Sequence, residues 1–365
     1  MKIAYLLGSL NRGGTETLML DVFKYQSRPG YEFIGIYRKQ GVYEKEFRAT
    51  GHKIYRICPC SVFDIGYILK LRKILKQEKI DIVHAQQSID AVFALFATMG
   101  SGIKVVQTFH GFDYNCVFKH KLLIKYSIVK TNANFFVSET QRLYYIDKYH
   151  LDSSKQIVVY NGVNFSKLDT KRPTISILQK KREEEYLFGS VGNFVAVRQQ
   201  IVICRFLKLL KEQNVPFQFV FAGARCYPEE WRYDECVNYC RDNNMLENVH
   251  FLGSCHDVPN MLKQLDAFVY ASHHDTFGIA VVEAIAAGLP VFVNDWNVMK
   301  EITSNGKWAT LYKTGNEKDL LEQFMLFLSN IESRKTEVAS RFKGIRERFS
   351  IESHLNSLAA TYNSL

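Results

Sequence analysis

A chain of 365 residues is too long for one small core and suits two domains of ordinary size. With 47% hydrophobic and 13% aromatic residues it is not mainly disordered, and no apolar run approaches the ~20 residues of a membrane span. The net charge of +10 lies wholly in the first half: residues 1–165 hold 23 Lys and Arg against 13 Asp and Glu, and residues 166–365 hold 24 of each, a bias that suits nucleic acid or an anionic membrane surface.

The N-terminus from Met1 to Gly8 has one charged side chain, Lys2, among otherwise apolar residues before the glycine. That is too short for a signal peptide, so it reads as a first strand and a cytoplasmic protein is expected. Strands are predicted at Lys2–Leu7, Phe33–Tyr37, His52–Ile57, Ile80–His84, Lys104–Phe109, Asn134–Val137 and Gln156–Val159. Helical patterns such as Tyr67–Lys79 and Ser88–Met99 lie among them. Asn164–Glu185 is polar and charged, contains Pro173 and the run Lys180-Lys181-Arg182-Glu183-Glu184-Glu185, and reads as a linker.

The pattern then restarts, with strands at Tyr186–Val191, Gln218–Ala222, Val249–Leu252, Ala267–Tyr270 and Pro290–Asn294. Helices are predicted at Ile201–Asn214, Glu229–Asn243, Pro259–Gln264, Ile279–Ala287 and Lys318–Ser329. Strands alternating with helices imply an α/β chain of two doubly wound, Rossmann-like parallel sheets. Such sheets bind ligands outside the carboxyl ends of their strands. Two of them facing a central cleft would make a two-substrate site. The eight cysteines are irregularly spaced. Free buried thiols are expected, in preference to a metal cluster of Cys226, Cys236, Cys240 and Cys255 with His250 and His256.

The candidate residues follow strands. Gly8-x4-Gly13 resembles a phosphate-binding loop, but Gly14 stands where its lysine belongs, and no G-x-G-x-x-G occurs. What remains is a Gly-Gly turn opening a helix at an anion, or an ordinary strand–helix turn. His110 follows the fifth strand beside Gly111, placed for a cleft or simply structural. Asn161-Gly162 follows the seventh strand and is first a turn signal. Arg198 follows the first strand of the second half, where it can grip a phosphate or lie solvated. The densest segment runs from Ala271 to Gly288. Asp275 sits on its loop, the N–H groups of Phe277, Gly278 and Ile279 open a helix, and Glu283 follows among apolar neighbours. A carboxylate there needs a dedicated partner: sugar or ribose hydroxyls, or an Arg at a domain surface.

Together these residues resemble the family 4 glycosyltransferases of the retaining, GT-B class. The resemblance rests on Gly13-Gly14-Thr15-Glu16, Thr108-Phe109-His110-Gly111, Tyr160-Asn161-Gly162-Val163, Phe251-Leu252-Gly253, Asp266-Ala267-Phe268-Val269-Tyr270 and, most specifically, Asp275-x-Phe277-Gly278-x4-Glu283-Ala284-x3-Gly288-x-Pro290-Val291. It implies an acceptor-binding domain over 1–165, joined by a C-terminal helix of about 350–365, and a nucleotide-sugar-binding domain over 180–349. It implies His110, Asp275 and Glu283 as the catalytic set. Gly14, Asn193, Arg198, Gly253, Thr276, Phe277, Gly278, Ile279 and Glu283 would hold the donor, and Gly13, Thr15 and Asn161 would lie on the acceptor side. The chain departs from the family twice. The Glu-x7-Glu signature is here Asp275-x7-Glu283, and the Arg-then-Lys pair of the second domain is here Asn193 then Arg198. No Asp-x-Asp occurs, so no metal is expected, and the nucleotide-diphosphate sugar is a co-substrate rather than a cofactor.

The charge bias has a local focus. Tyr114 to Ser138 lacks any acidic residue, while Lys119, Lys121, Lys125 and Lys130 interleave with Val117, Phe118, Leu122, Leu123, Ile124, Ile128 and Val129. Lys70, Arg72, Lys73, Lys76 and Lys79 add to it. This reads either as a helix lying on anionic lipid or as a solvated face over a core. The expected partners are a nucleotide-sugar donor, a lipid-linked or saccharide acceptor and the inner membrane surface, but no nucleic acid. The expected setting is bacterial capsule, O-antigen or exopolysaccharide assembly. The rival readings are a nucleotide-sugar epimerase of the same fold and a catalytically weak nucleotide-sugar-binding subunit.

Overall fold

The runs read as strands all pair in parallel with their neighbours. The structure is a computed structural model describing residues 1–25, 30–61, 64–114, 116–169, 185–255, 257–331 and 343–365. It divides into two units, Met1–Val163 with Ile351–Leu365, and Asn164–Ser350.

In the first unit β1 (Lys2–Ser9), β2 (Glu32–Lys39), β3 (Lys53–Arg56), β4 (Ile82–Ala85), β5 (Lys104–Phe109), β6 (Ala133–Phe136) and β7 (Gln156–Val158) form one sheet. Its order is β3-β2-β1-β4-β5-β6-β7. Helices α1 (Gly14–Lys24), α2 (Glu44–Ala49), α3 (Ile65–Gln77), α4 (Ser88–Ala97), α5 (Phe118–Lys130) and α6 (Glu139–Tyr149) connect the strands. Alternation along β1 sends Ile3, Tyr5 and Leu7 into one buried cluster and Ala4 and Leu6 into the other. Burial on both faces is what a parallel sheet requires.

The second unit opens with α7 (Ser166–Asp169). Its sheet holds β8 (Tyr186–Val191), β9 (Phe217–Ala222), β10 (Val249–Phe251), β11 (Ala267–Tyr270), β12 (Val291–Asn294) and β13 (Thr310–Tyr312). The order is β10-β9-β8-β11-β12-β13. Its helices are α8 (Gln200–Glu212), α9 (Trp231–Asp242), α10 (Val258–Leu262), α11 (Ile279–Ala286), α12 (Asn297–Ile302) and α13 (Glu317–Leu328).

Several expectations need correction. The linker does not begin at Asn164, because Phe165 and Leu168 are buried and order α7. The rest of that stretch, including Pro173 and the charge run, lies outside the described residues. Helix α3 starts two residues early because the Asp64 carboxylate caps it, accepting from the Tyr67 N–H at 2.9 Å. α2, α12 and β13 were not foreseen, since runs of three to six residues carry too little periodicity. All eight cysteines are free, but only Cys204, Cys236 and Cys240 are buried, and Cys58 and Cys60 are exposed.

The chain ends with α14 (Ile351–Tyr362), which belongs to the first unit. Its Ile351, Leu355, Leu358 and Tyr362 complete the cluster around Tyr5. A Cβ on Gly162 would lie 2.8 Å from the Cα of Ile351 and the Cβ of His354, so this close approach requires glycine. The joint is polar as well. His84 is held by the Tyr362 hydroxyl at Nδ1 (2.5 Å) and the Thr108 hydroxyl at Nε2 (2.6 Å). His354 Nδ1 bonds the Tyr160 carbonyl at 2.7 Å.

Burial pushes His354 down to about 4, against the pull of the Tyr160 carbonyl. Burial and the nearby His354 and His110 likewise hold His84 well below the ordinary imidazole value. The unfolded chain therefore takes up protons near pH ~6.5 that the folded chain refuses, so stability is full above that pH and falls as the pH drops. The His354 ring is expected to remove about 2 kcal/mol between pH 6.5 and 5, at about 1.4 kcal/mol per unit, and His84 acts in the same direction. Urea unfolding across this range should show the loss, with a shallower slope in His354→Gln. An unchanged slope would contradict this assignment.

Candidate functional site

Both sheets reverse their direction of growth once, between β1 and β4 and between β8 and β11. The loops leaving such a strand pair run in opposite directions and open a crevice at the carboxyl edge. The strongest sequence candidates sit at these two places.

In the second unit the loop after β8 carries Asn193 and Arg198, and the loop after β11 carries Asp275 and Thr276. The loops are stitched together. Gln199 N–H donates to the Ala271 carbonyl (3.1 Å), His273 N–H to Val197 (2.8 Å), and the Ser272 hydroxyl also to Val197 (2.8 Å). Asn294, at the end of β12 and fully buried, locks Ser272 from the other side. It accepts from the Ser272 N–H at 2.9 Å and donates to the Ser272 carbonyl at 2.7 Å.

On this frame Arg198 is ion-paired with Asp275 and lies over the Tyr270 ring at 4.7 Å, while the Tyr270 hydroxyl donates to the same carboxylate oxygen. Burial pushes the Asp275 carboxyl up, against the Arg198 guanidinium and the Ser272 hydroxyl, which pull it down. Arg198 is thus neither solvated nor isolated, and two residues expected to act separately are joined. Asn193 Oδ1 accepts from the Ala224 N–H at 2.9 Å and so helps shape the loop.

Phe277 is buried, with its ring 5.3 Å from that of Phe349. Gly278 caps α11 at φ +88, and a Cβ there would stand 3.0 Å from Met299, so only glycine suits the position. Ile279 is the first helical residue, and Glu283 is half-buried one turn on. Gly253 follows β10 at the far edge of the sheet, three strands from β11.

In the first unit Gly13 caps α1, Gly14 is its exposed first residue, and Thr15 is half-buried behind it. His110 follows β5, and its Nε2 bonds Gln86 Oε1 at 2.7 Å. Burial and then His354 push the His110 ring down to about 3, so it is neutral at physiological pH. Its loop is pinned to α6: the Gly111 carbonyl accepts from Gln141 (2.9 Å), and buried Asp113 binds Lys148 and Tyr144 at 2.7 Å each. Asn161 is buried after β7, and its Oδ1 has no partner among the described residues.

Sequence reasoning passed over Gln86. It is 4% exposed, stands just after β4, and its Nε2 has no partner among the described residues. The available signal was a polar Gln86-Gln87 pair at a strand's carboxyl end. Tyr270 and Asn294 were missed because a strand-end residue gives no sign of its partners. Among the described residues no group of three or more His, Cys, Asp or Glu is placed to share a metal ion, and no helix is long and apolar enough to cross a membrane.

Comparison with known proteins agrees with this architecture. A UDP-Gal:alpha-D-GlcNAc-diphosphoundecaprenol alpha-1,3-galactosyltransferase of Escherichia coli is 29% identical over 250 residues, which are 64% of this chain and 62% of that protein. The match thus spans under two thirds of that relative's length. The capsular polysaccharide biosynthesis glycosyltransferase CapH of Staphylococcus aureus is 21% identical over 78% of each chain. Anabaena HepE, crystallised with UDP and glucose, shares the fold over 100% of both chains, with a TM-score of 0.85 at 17% identity. The family model Glycosyltransferase Family 4 matches residues 12–167, and Glycosyl transferases group 1 matches 171–339. With both units matched in turn, the chain belongs to the family 4 type of GT-B glycosyltransferases.

Proposed function

We propose that the second unit binds a nucleoside-diphosphate sugar and that the first unit presents a lipid-linked or saccharide acceptor. Transfer proceeds with retention of configuration and without a metal, in the assembly of a bacterial surface polysaccharide. The observation that carries this reading is Arg198, held at the switch point where β8 and β11 end, beside the start of α11. As the bond to the diphosphate breaks, negative charge grows on the leaving group, and a fixed guanidinium with helix N–H dipoles stabilises it. The sugar then passes through an oxocarbenium-like state. Glu283 accepts hydrogen bonds from the ribose hydroxyls. Neutral His110 donates to or accepts from a sugar hydroxyl without adding charge. The absence of any Asp-x-Asp leaves charge neutralisation to these groups. Retention rests on the family resemblance, and the lipid-linked, polysaccharide setting draws on the relatives' names.

A thermal-shift screen against UDP, GDP, ADP, CMP and dTDP sugars tests the donor site, since a ligand at 100 times its Kd adds about 2.7 kcal/mol to the native state. One base should raise the midpoint with or without EDTA, and Glu283→Ala should lose the rise. No rise with any donor would sink the reading. Loss of the rise in EDTA would sink metal independence, and release of an epimerised sugar without acceptor would favour the epimerase.

The same proposal places the first unit on anionic lipid. Helices α3, α4 and α5 pack side by side. The inner side of α5 buries Ile124 and Ile128, yet its outer side leaves Phe118 73% and Leu122 53% exposed among lysines. A merely solvated face has no need of those large apolar side chains, whereas an interfacial helix does. Sedimentation with vesicles containing phosphatidylglycerol should capture the protein at low salt. Phe118→Asp with Leu122→Asp should reduce capture about tenfold or more, whereas equal capture of the double variant would remove this face from consideration.

A further inference from the structure

The first unit's sheet reverses its growth between β1 and β4, and the chain leaves β4 through two glutamines, Gln86 and Gln87. Their surroundings separate them. Gln87 is exposed, and its carboxamide fills the space over Gly8, where a Cβ would stand 2.6 Å from its Nε2. Its Oε1 accepts from Arg38 Nη2 at 2.6 Å. Gln86 is 4% exposed, and its backbone N–H donates to the Leu6 carbonyl of β1 at 3.0 Å. Its Oε1 lies 2.7 Å from His110 Nε2, and its Nε2 has no partner among the described residues.

A carboxamide oxygen only accepts, so the ring's proton sits on Nε2. The ring is neutral at physiological pH, so Nδ1 carries no proton and can only accept. The orphan is then the other end of Gln86. Buried donors are nearly always paired, so one left over at a strand's carboxyl end points to an oxygen that arrives with a ligand. Neighbouring polar groups are already spent on the frame, since His84 holds both Thr108 and Tyr362. A neutral amide beside a neutral ring has no charge with which to hold a phosphate. It suits a neutral oxygen, such as a hydroxyl.

We propose that Gln86 both positions His110 and binds substrate: its Oε1 holds the ring with Nδ1 unprotonated, and its Nε2 donates to a sugar hydroxyl. One carboxamide thus fixes the tautomer of a neighbour and presents a donor of its own. Saccharide hydroxyls both accept and donate, which matches a donor at Gln86 beside an accepting ring nitrogen. This inference rests on the transferase reading given above. The hydroxyl belongs to the transferred sugar or to a saccharide acceptor, and the two arms of the titration separate them.

The test uses the full chain with isotopically labelled histidine and two substitutions of similar size, with urea unfolding of each alongside. Nitrogen NMR of the imidazoles, with His110→Asn locating the signal, should show Nε2 protonated and Nδ1 bare in the parent. Gln86→Met removes both polar ends and should let the Nδ1–H form appear. Gln86→Glu keeps an acceptor but loses the donor, so the tautomer should persist. Its carboxylate should also raise the pH at which the ring becomes charged, with His84 and His354 nearby both held neutral. Calorimetric titration then compares UDP-glucose, UDP-galactose, UDP-N-acetylglucosamine, GDP-mannose and dTDP-glucose with their bare nucleoside diphosphates. For a hydroxyl on the transferred sugar, both variants should weaken the sugar nucleotide about tenfold and leave its diphosphate within about threefold. For a hydroxyl on the acceptor, both should instead weaken methyl glycosides of glucose, galactose or N-acetylglucosamine, about tenfold, on the diphosphate-loaded protein. Variants that match the parent in both arms would mean that a structural water alone meets Nε2, and would overturn the inference. So would an Nδ1–H ring in the parent, or a tautomer unmoved by Gln86→Met. Equal weakening of sugar nucleotide and diphosphate with a lowered urea midpoint marks a folding role and also overturns it. A parent that binds no nucleotide and no glycoside would overturn the transferase reading itself, whereas the tautomer stands or falls by its own spectrum.

Discussion

Parallel pairing is the constraint from which the rest follows. A strand that must lie parallel to its predecessor cannot be reached by a hairpin, so each connection crosses over as a helix and returns to the same starting edge. All the loops leaving strands are thereby gathered at the opposite, carboxyl edge. In the second unit the order β10-β9-β8-β11-β12-β13 makes the loops after β8 and β11 diverge around one point. That geometry brings Arg198 and Asp275 together across 77 residues of sequence.

The buried polar groups divide into two kinds. Some fix the frame: Asn294 clamps Ser272, and Asp113 pins the His110 loop. Each is paired on several sides, as burial demands. Others are only partly used. Arg198 makes one hydrogen bond from a group with five donors, and Gln86 and Asn161 each keep a buried amide atom without a partner among the described residues. Both kinds lie at or just beyond the carboxyl ends of strands, so the partly used groups sit among rigidly paired neighbours.

Much of this was legible in the sequence. Strands from Tyr186 to Val191 and from Ala267 to Tyr270 could be read to the residue, because a doubly buried parallel strand is a short apolar run with sharp ends. The segment from Asp275 to Gly288 stood out in the sequence as a candidate, because a carboxylate at Glu283 is costly in an otherwise apolar stretch, and the structure puts Gly278 at a positive φ at the start of its helix. Partnership was not legible. Asn193 and Arg198 look alike as polar loop residues, yet the Oδ1 of one accepts from the Ala224 backbone and the other pairs with Asp275 through one of its donors. Position along the chain gives the type of group available, whereas register across the sheet decides what it meets.

The Arg198–Asp275 pair raises a question of energetics that its surroundings answer. Both side chains are largely withdrawn from water, at 19% and 11% exposure. A buried ion pair typically adds little to stability, because desolvating two charges offsets their attraction. Hydrophobic replacements of similar size would often fold as well. What such replacements lack is a cation at a fixed point. Tyr270 beneath the guanidinium and the shared carboxylate oxygen remove most of its rotamer freedom before any ligand arrives, so little of that ordering is left to be done on binding. The desolvation cost is therefore met in the folded protein, and the same low-dielectric surroundings strengthen the field around the guanidinium.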